Sequence, residues 1–218
     1  MLPILKYENK LWDKGYHIIA GVDEVGRGPL AGPIVGCAVA WNYKTIDNLL
    51  KIPHKKELLL KITDSKKVTK KNREILSEFI RKECLGYEIC EISAKEIDEI
   101  GIGIANKKVL RNAVINLSRN LKIDYVLVDY FSICTNDCKI SELSLKKGDQ
   151  VSFAIASASI VAKVYRDNLM YKYSKKYSQY SLDTNVGYGT KKHLLAIKKY
   201  GYTPIHRKSY KIKLPTEK

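Results

Sequence analysis

No stretch of this 218-residue chain stays apolar long enough to cross a membrane. The longest candidate, residues 151–162, is interrupted by Ser152, Ser157 and Ser159, and it falls short of the ~18 residues a spanning helix needs. Residues 1–10 carry Glu8 and Asn9 where a secretory leader would be apolar, so a cytoplasmic protein is expected. Cysteine is sparse and odd in number: Cys37, Cys84, Cys90, Cys134 and Cys138. Cys134 and Cys138 are four apart, but no second pair or nearby His completes a zinc set, so free thiols are expected. There is no internal repeat and no low-complexity linker, and the length fits one large domain or a domain with a small appendage. Acidic residues are outnumbered: 39 Lys and Arg stand against 23 Asp and Glu, a net charge of +16. A field of that sign attracts polyanions, with nucleic acid the first candidate and an anionic membrane surface the second. The excess is unevenly placed, because the last 28 residues hold eight Lys, one Arg and one Glu, net +8.

The 45% hydrophobic content supports a real core, and its alternation with polar stretches has the spacing of an α/β domain. Residues 16–23 read as a strand broken by Gly26, Gly28, Pro29, Gly32 and Pro33, and 34–41 as its antiparallel partner. Thr69 caps a helix over 70–84, with Ile75, Leu76, Phe79 and Ile80 on one face. Residues 86–92 form a further strand, and Ser93-Ala94-Lys95-Glu96 has the form of a capping box. A helix is expected over 104–121, a buried strand over 124–130, and then a poorly patterned stretch to Lys147. A long helix over 151–171, rich in small residues at first, and another over 190–200 complete the pattern.

The first residues able to do chemistry are Asp23 and Glu24, at the end of an apolar strand and followed by Gly26-Arg27-Gly28. Buried carboxylates are costly unless paired or metal-bound, and two neighbours also repel. Hard oxygen donors of this kind suit Mg²⁺ or Mn²⁺, whereas the alternative is a solvated acid pair before a turn. Adjacent strand residues point to opposite faces, so the strand must bulge or end here, or the two acids serve different ions. Asp129 closes the strand Val126-Leu127-Val128-Asp129, at the carboxyl end where α/β sites are commonly built. Asp149 precedes the long helix, as a ligand or as its N-cap. Asp167 lies about 27 Å further along that helix if it is continuous, and pairing with Lys163 is its expected role.

Taken together, several blocks resemble one family, ribonuclease HII. They are Gly21-Val22-Asp23-Glu24-Val25-Gly26-Arg27-Gly28-Pro29-Leu30-Ala31-Gly32-Pro33, Asp64-Ser65-Lys66-Lys67, Val128-Asp129 and Lys147-Gly148-Asp149, followed by the 156–167 helix segment, Asn185-Val186-Gly187-Tyr188-Gly189-Thr190 and Pro204-Ile205-His206-Arg207-Lys208-Ser209. They occur in the family's order and span residues 20–209. The resemblance implies an RNase H-like α/β fold, a central mixed sheet flanked by helices with a small basic helical C-terminal lobe. Its expected boundaries are a single domain over 1–218, with a core to about 180, the lobe at 181–213 and a tail at 214–218. It implies a monomeric endonuclease dependent on Mg²⁺ or Mn²⁺. Its substrates would be RNA/DNA hybrids and ribonucleotides embedded in duplex DNA, in primer removal and ribonucleotide excision. By motif, Asp23, Glu24, Asp129 and Asp149 match the metal-binding catalytic carboxylates. Gly26, Arg27 and Gly28 match the element that reads the ribose 2′-hydroxyl, and Tyr188 matches an aromatic that packs on the next deoxyribose. Ribonuclease HIII looks longer and lacks an Arg at the position of Arg27.

The chain departs from the family pattern at Ile97-Asp98-Glu99-Ile100-Gly101-Ile102, at Tyr130 and in the stretch to Lys146. Independently of any family, four carboxylates supply about −4 of charge, which two divalent ions offset while activating water and stabilising the leaving 3′ oxygen. The competing readings are a basic nucleic-acid-binding module with structural acids, and a phosphotransferase. The second lacks the Gly-Lys-Ser/Thr ending of a P-loop.

Overall fold

The computed structural model describes residues 3–133 and 140–214, and the elements below are those of this region. In chain order they are α1 (Lys6–Asp13), β1 (Ile18–Val25), β2 (Ile34–Asn42), α2 (Tyr43–Leu50), α3 (Pro53–Leu60), α4 (Lys70–Glu83), β3 (Gly86–Ile92), α5 (Ala94–Ile100) and α6 (Ile102–Asn120). They continue with β4 (Tyr125–Asp129), β5 (Ser141–Leu145), α7 (Gly148–Val151), α8 (Phe153–Lys176), α9 (Leu182–Asn185) and α10 (Lys191–Tyr200). The strands form one mixed sheet in the order β3-β2-β1-β4-β5. β1, β2 and β3 make an antiparallel meander, while β4 runs parallel to both β1 and β5.

Strand periodicity distributes the apolar residues between two faces. Ala20, Val22, Val126 and Val128 pack with Val109, Leu110 and Ala113 of α6. Ile19 and Leu127 turn the other way and meet Ile155 of α8. With a long helix on each face, the central strands are buried on both sides, which explains their nearly continuous apolar sequence.

The approach of α8 is unusually close, and the sequence provides for it on both partners. A Cβ at Gly21 would lie 2.0 Å from the backbone carbon of Ala154 and 2.2 Å from the nitrogen of Ile155. The helix answers with Ala154, Ala156, Ser157, Ala158, Ser159 and Ala162, all buried. Its N-cap is Ser152, whose hydroxyl accepts the Ile155 N–H at 3.2 Å. Glu8 reaches the same end from α1, accepting the Ser152 hydroxyl at 2.6 Å and the Ala154 N–H at 3.0 Å. Ala31, Met170, Tyr180, Leu182, Ala196 and Ile197 form a separate small cluster towards the C-terminus.

Several expectations need adjustment. The long helix starts at Phe153, two residues late, because α7 is a separate turn. Ile75 is exposed, while Leu76, Phe79 and Ile80 are buried. The unpatterned stretch contains β5, an edge strand paired to β4 by its backbone; of its side chains only Leu145 is buried, so periodicity could not reveal it. Cys37, Cys84 and Cys90 are free thiols, whereas Cys134 and Cys138 lie outside the described residues. Among the described residues no helix is long and apolar enough to cross a membrane.

Two glycine substitutions should move stability in opposite directions. Gly21→Ala drives a methyl into the α8 backbone and should cost at least about 3 kcal/mol, read as a large fall in Tm. Gly103→Ala, near the start of α6 with nothing within 4 Å of the added carbon, should hold stability or raise it by up to about 1 kcal/mol. Equal melting of Gly21→Ala and the wild type would mean that α8 does not press on β1.

Candidate active site

Parallel pairing brings the carboxyl ends of β1 and β4 to the same edge. Val22 lies opposite Val128, so Asp23 and Asp129 follow side by side. β1 is neither bulged nor ended at the acid pair, since Asp23 pairs with Cys37, Glu24 with Gly36 and Val25 with Val35 in regular register. Asp23 and Glu24 therefore leave opposite faces of the sheet. Asp23 turns to the α8 face, where Ser159 supports its charge. Glu24 turns to the α6 face, beside Asn106. Asp129 Oδ1 accepts the Gly148 N–H at 2.7 Å, which fastens α7 to the end of β4 and brings Asp149 in. Asp149 is an N-terminal residue of α7, and the N-cap of α8 is Ser152.

Like charges dominate this corner. Burial holds the Asp23 carboxyl well above the usual carboxylate range, and Glu24 and Asp129 push it further. Burial raises Glu24 to about 6 against the pull of Arg27, whose Nη1 stands 3.9 Å from Glu24 Oε1, and Asp129 adds to the rise. Asp149 is also raised, by burial and the carboxylate of Asp64, with Lys66 Nζ at 3.9 Å opposing.

Asp64, Lys66 and Ser159 are neighbours to which motif reading gave no role. Asp64 Oδ1 accepts the Lys66 N–H at 2.9 Å, and Asp64 Oδ2 accepts Gln150 Nε2 at 3.3 Å. Ser65 and Ser159 share a hydroxyl hydrogen bond at 3.0 Å, which joins this loop to α8 behind Asp23. Asp167 stands elsewhere, with Lys163 Nζ at 2.8 Å and Arg73 Nη2 at 3.9 Å, as its (i, i−4) spacing suggested.

Gly26, Arg27 and Gly28 leave β1 directly beside these acids. Gly26 has φ +100°, and a Cβ there would meet Arg166 Nε at 2.4 Å, so only glycine fits. The Arg27 guanidinium sits 5.2 Å from the centre of the Phe131 ring. Tyr188 is 47% exposed, so it is not a core tyrosine, and its Cε1 lies 3.5 Å from where a Gly28 Cβ would be. The backbone behind Tyr188 is held by a chain of two buried imidazoles. Thr203 N–H donates to His206 Nδ1 at 2.9 Å, His206 Nε2 meets His193 Nε2 at 3.0 Å, and His193 Nδ1 meets the Tyr188 carbonyl at 2.8 Å. With the Thr203 end fixed as donor, His206 carries its proton on Nε2 and His193 on Nδ1, so both rings are neutral.

The donor set suits a hard divalent cation: buried, mutually repelling carboxylates gathered at adjacent strand ends. Among the described residues no three His, Cys, Asp or Glu side chains already converge tightly enough to hold a metal. Asp23, Glu24, Asp129 and Asp149 are the groups that would hold one.

This architecture defines an RNase H-like enzyme, with a mixed sheet, a helix on each face and an acidic cluster at the carboxyl ends of parallel neighbours. The ribonuclease HII family model matches residues 20–213, and the chain belongs to that family. It is 51% identical to the ribonuclease HII of Clostridium beijerinckii over 199 residues, covering 91% of this chain and 69% of that protein. The ribonuclease H2 structure from Pyrococcus horikoshii superposes with a TM-score of 0.73 at 26% identity, covering 88% of this chain and 93% of that one. Bst-RNase HIII in complex with Mn²⁺ shares the fold at a TM-score of 0.65 and 15% identity, over 89% of this chain and 67% of that one. The protein is thus a ribonuclease H, a hydrolase acting on RNA paired with DNA.

Two measurements test the electrostatics. Without metal at pH 7.5, Asp23→Asn should melt at or above the wild-type temperature, and added Mg²⁺ or Mn²⁺ should raise its Tm less than that of the wild type; a variant several degrees less stable would make Asp23 structural. The imidazole chain gives a pH dependence. Burial lowers both histidines, His206 to about 4. A base whose folded pKa lies below its unfolded value stabilises the fold at high pH. That contribution is complete above about 6.5 and is lost as the pH falls towards about 4. His206→Gln should flatten this acid limb of the Tm–pH profile, and an unchanged limb would remove the histidines from it.

Proposed function

We propose that this enzyme hydrolyses the RNA strand of RNA/DNA hybrids and cleaves at ribonucleotides embedded in duplex DNA. It cuts on the 5′ side of the ribonucleotide and leaves 3′-hydroxyl and 5′-phosphate ends. The observation that carries this reading is adjacency: Asp23 and Asp129 lie side by side at parallel strand ends, β1 runs on directly into Gly26-Arg27-Gly28, and Tyr188 stands against Gly28.

In this reading Asp23, Glu24, Asp129 and Asp149 would hold two Mg²⁺ or Mn²⁺ ions, which would supply Lewis acidity to water and to the phosphate. The backbone around Arg27 contacts the ribose 2′-hydroxyl, the group by which a protein tells RNA from DNA. Tyr188 lies on the following deoxyribose, flanked by Gly187 and Gly189 so that its neighbours do not obstruct it. Lysines of the basic C-terminal piece, among them Lys191, Lys192, Lys208 and Lys211, contact phosphates without reading sequence. The chain acts as a monomeric single domain, with 181–213 as its substrate-binding lobe. Its cellular work is cytoplasmic primer removal and ribonucleotide excision.

A duplex containing one ribonucleotide, incubated with Mg²⁺ or Mn²⁺ and sized on a gel, tests the bond chosen and the ends left. Asp129→Asn should reduce cleavage by about 10³-fold or more while the protein stays folded, and near-wild-type turnover would sink the metal-site assignment. Tyr188→Ala should lose cleavage at the embedded ribonucleotide more than cleavage of a long hybrid, which lacks the deoxyribose in question. Equal loss on both substrates, with a lower Tm, would make Tyr188 a packing residue instead.

A further inference from the structure

Arg207 is one of the most deeply buried side chains in the molecule, 1% exposed, and its guanidinium does not face a carboxylate. Its donors go to backbone carbonyls of one loop: Nη2 to Gly26 at 2.6 Å, Nη1 to Arg27 at 2.9 Å, and Nε and Nη2 to Gly32 at 3.0 and 2.9 Å. Tyr210 completes the arrangement. Its hydroxyl donates to the Arg27 carbonyl at 2.6 Å and accepts from Arg207 Nη1 at 3.0 Å. Asp98, the nearby acid, is taken by the N–H groups of Lys208 and Ser209, both at 2.9 Å. A second buried guanidinium, Arg166, binds the carbonyls of Ala31 and Pro33 at 3.1 Å from the other side.

The consequence lies in peptide geometry. In a trans peptide the C=O and the following N–H point in opposite directions, and no peptide among the described residues is cis. Turning the Gly26 and Arg27 carbonyls inward to Arg207 therefore turns the Arg27 and Gly28 N–H groups outward. Arg27 and Gly28 are exposed, and among the described residues neither N–H has a backbone acceptor. Two successive outward donors make a small concave site for an electronegative atom, and this one opens beside Tyr188 and next to Glu24.

We propose that Arg207, assisted by Tyr210, is a positioning residue for substrate choice: it fixes two peptide planes so that the Arg27 and Gly28 N–H groups are aimed at the oxygen of the ribose 2′-hydroxyl. This rests on the reading of residues 26–28 as the 2′-hydroxyl contact. Only a planar guanidinium serves, because one fork spans carbonyls of three residues; a lysine ammonium, with a single nitrogen, reaches them one or two at a time.

The test compares two duplexes identical except at one sugar, bearing 2′-hydroxyl or 2′-fluoro. Water attacks the phosphorus in either case, so both are cleavable, but fluorine is a poor acceptor. Wild-type enzyme should prefer the hydroxyl substrate in kcat/KM. In Arg207→Lys that preference should shrink about tenfold, and in Tyr210→Phe about threefold, the scale of one or two hydrogen bonds. Cleavage of the fluoro substrate should fall less than cleavage of the hydroxyl substrate. Circular dichroism establishes that each variant is folded, and if Arg207→Lys is not, Tyr210→Phe carries the comparison alone. A folded variant that loses activity equally on both substrates overturns the proposal and leaves the 2′-hydroxyl reading standing. A wild-type enzyme with no preference overturns that reading and the proposal with it.

Discussion

The seating of α8 on β1 is the contact on which the site depends. Gly21 lets the helix backbone come against the strand, and the Ala- and Ser-rich first turns of α8 let it stay there. From that one contact three features follow along the helix. Before it begins, α7 carries Asp149 to the end of β4. Two turns in, Ser159 stands behind Asp23 and links it to the Asp64-Ser65-Lys66 loop. Further along, Arg166 reaches back under the 31–33 segment. Moving α8 outward by the thickness of one methyl group would disturb the acid cluster and the loop beside it together, because both hang from the same rigid rod.

Charge is arranged in two layers with different logic. At the strand ends it is negative, buried and unbalanced, which is unfavourable in the protein alone and favourable once cations are bound. Beneath the Gly26-Arg27-Gly28 loop it is positive and buried, but it is balanced by carbonyl dipoles rather than by carboxylates. A carboxylate partner for Arg207 at that depth would draw its donors off the loop, and carbonyl solvation leaves every donor occupied in shaping it. Placing Asp98 on the adjacent Lys208 and Ser209 N–H groups keeps the acid close enough to favour the guanidinium without capturing it.

The fold was largely legible where side-chain burial imposes a period. Both faces of β1, β2 and β4 are covered, so their sequences are apolar up to the acids at the carboxyl ends of β1 and β4, and Thr69 and Ser93 mark helix starts by accepting the Asn72 and Glu96 N–H groups. The sequence was opaque where backbone alone decides, as at β5, whose exposed residues carry no alternation. At the candidate site, Asp23, Glu24 and Asp129 could be singled out because carboxylates at the ends of apolar strands are out of place, whereas Asp149, read alone as ligand or N-cap, stood out only through the family motif. Whether the first two shared a face could not be decided, and the regular register shows that they do not. Lys66 and Asp64 were visible only as part of a motif, since their relation to Asp149 spans 83 to 85 residues of chain. Arg166, His206 and Arg207 were likewise visible only inside motifs, with no role attached, and His193 looked like an ordinary member of a basic protein, because burial, the property that distinguishes all four, belongs to the fold.

The two parts of the proposed substrate face, the 26–28 loop and Tyr188, come from opposite ends of the chain, yet they are held as one unit. Leu30 and Ala31 donate to the Gly187 carbonyl at 2.7 and 3.3 Å, and Gly32 donates to the Ile205 carbonyl at 2.8 Å. Arg166 bridges the same junction, binding Val186 as well as Ala31 and Pro33. The 203–207 segment serves both sides: His206 ends the imidazole chain behind Tyr188, and the adjacent Arg207 binds the 26–32 carbonyls. Loops positioned independently would vary in separation from molecule to molecule, blurring any geometric relation between them. Because adjacent residues of one short segment anchor both, the separation of the 26–28 loop from Tyr188 is held fixed; in the proposed reading that separation sets the spacing of two sugar contacts, where a mismatch of even 1 Å is costly for catalysis.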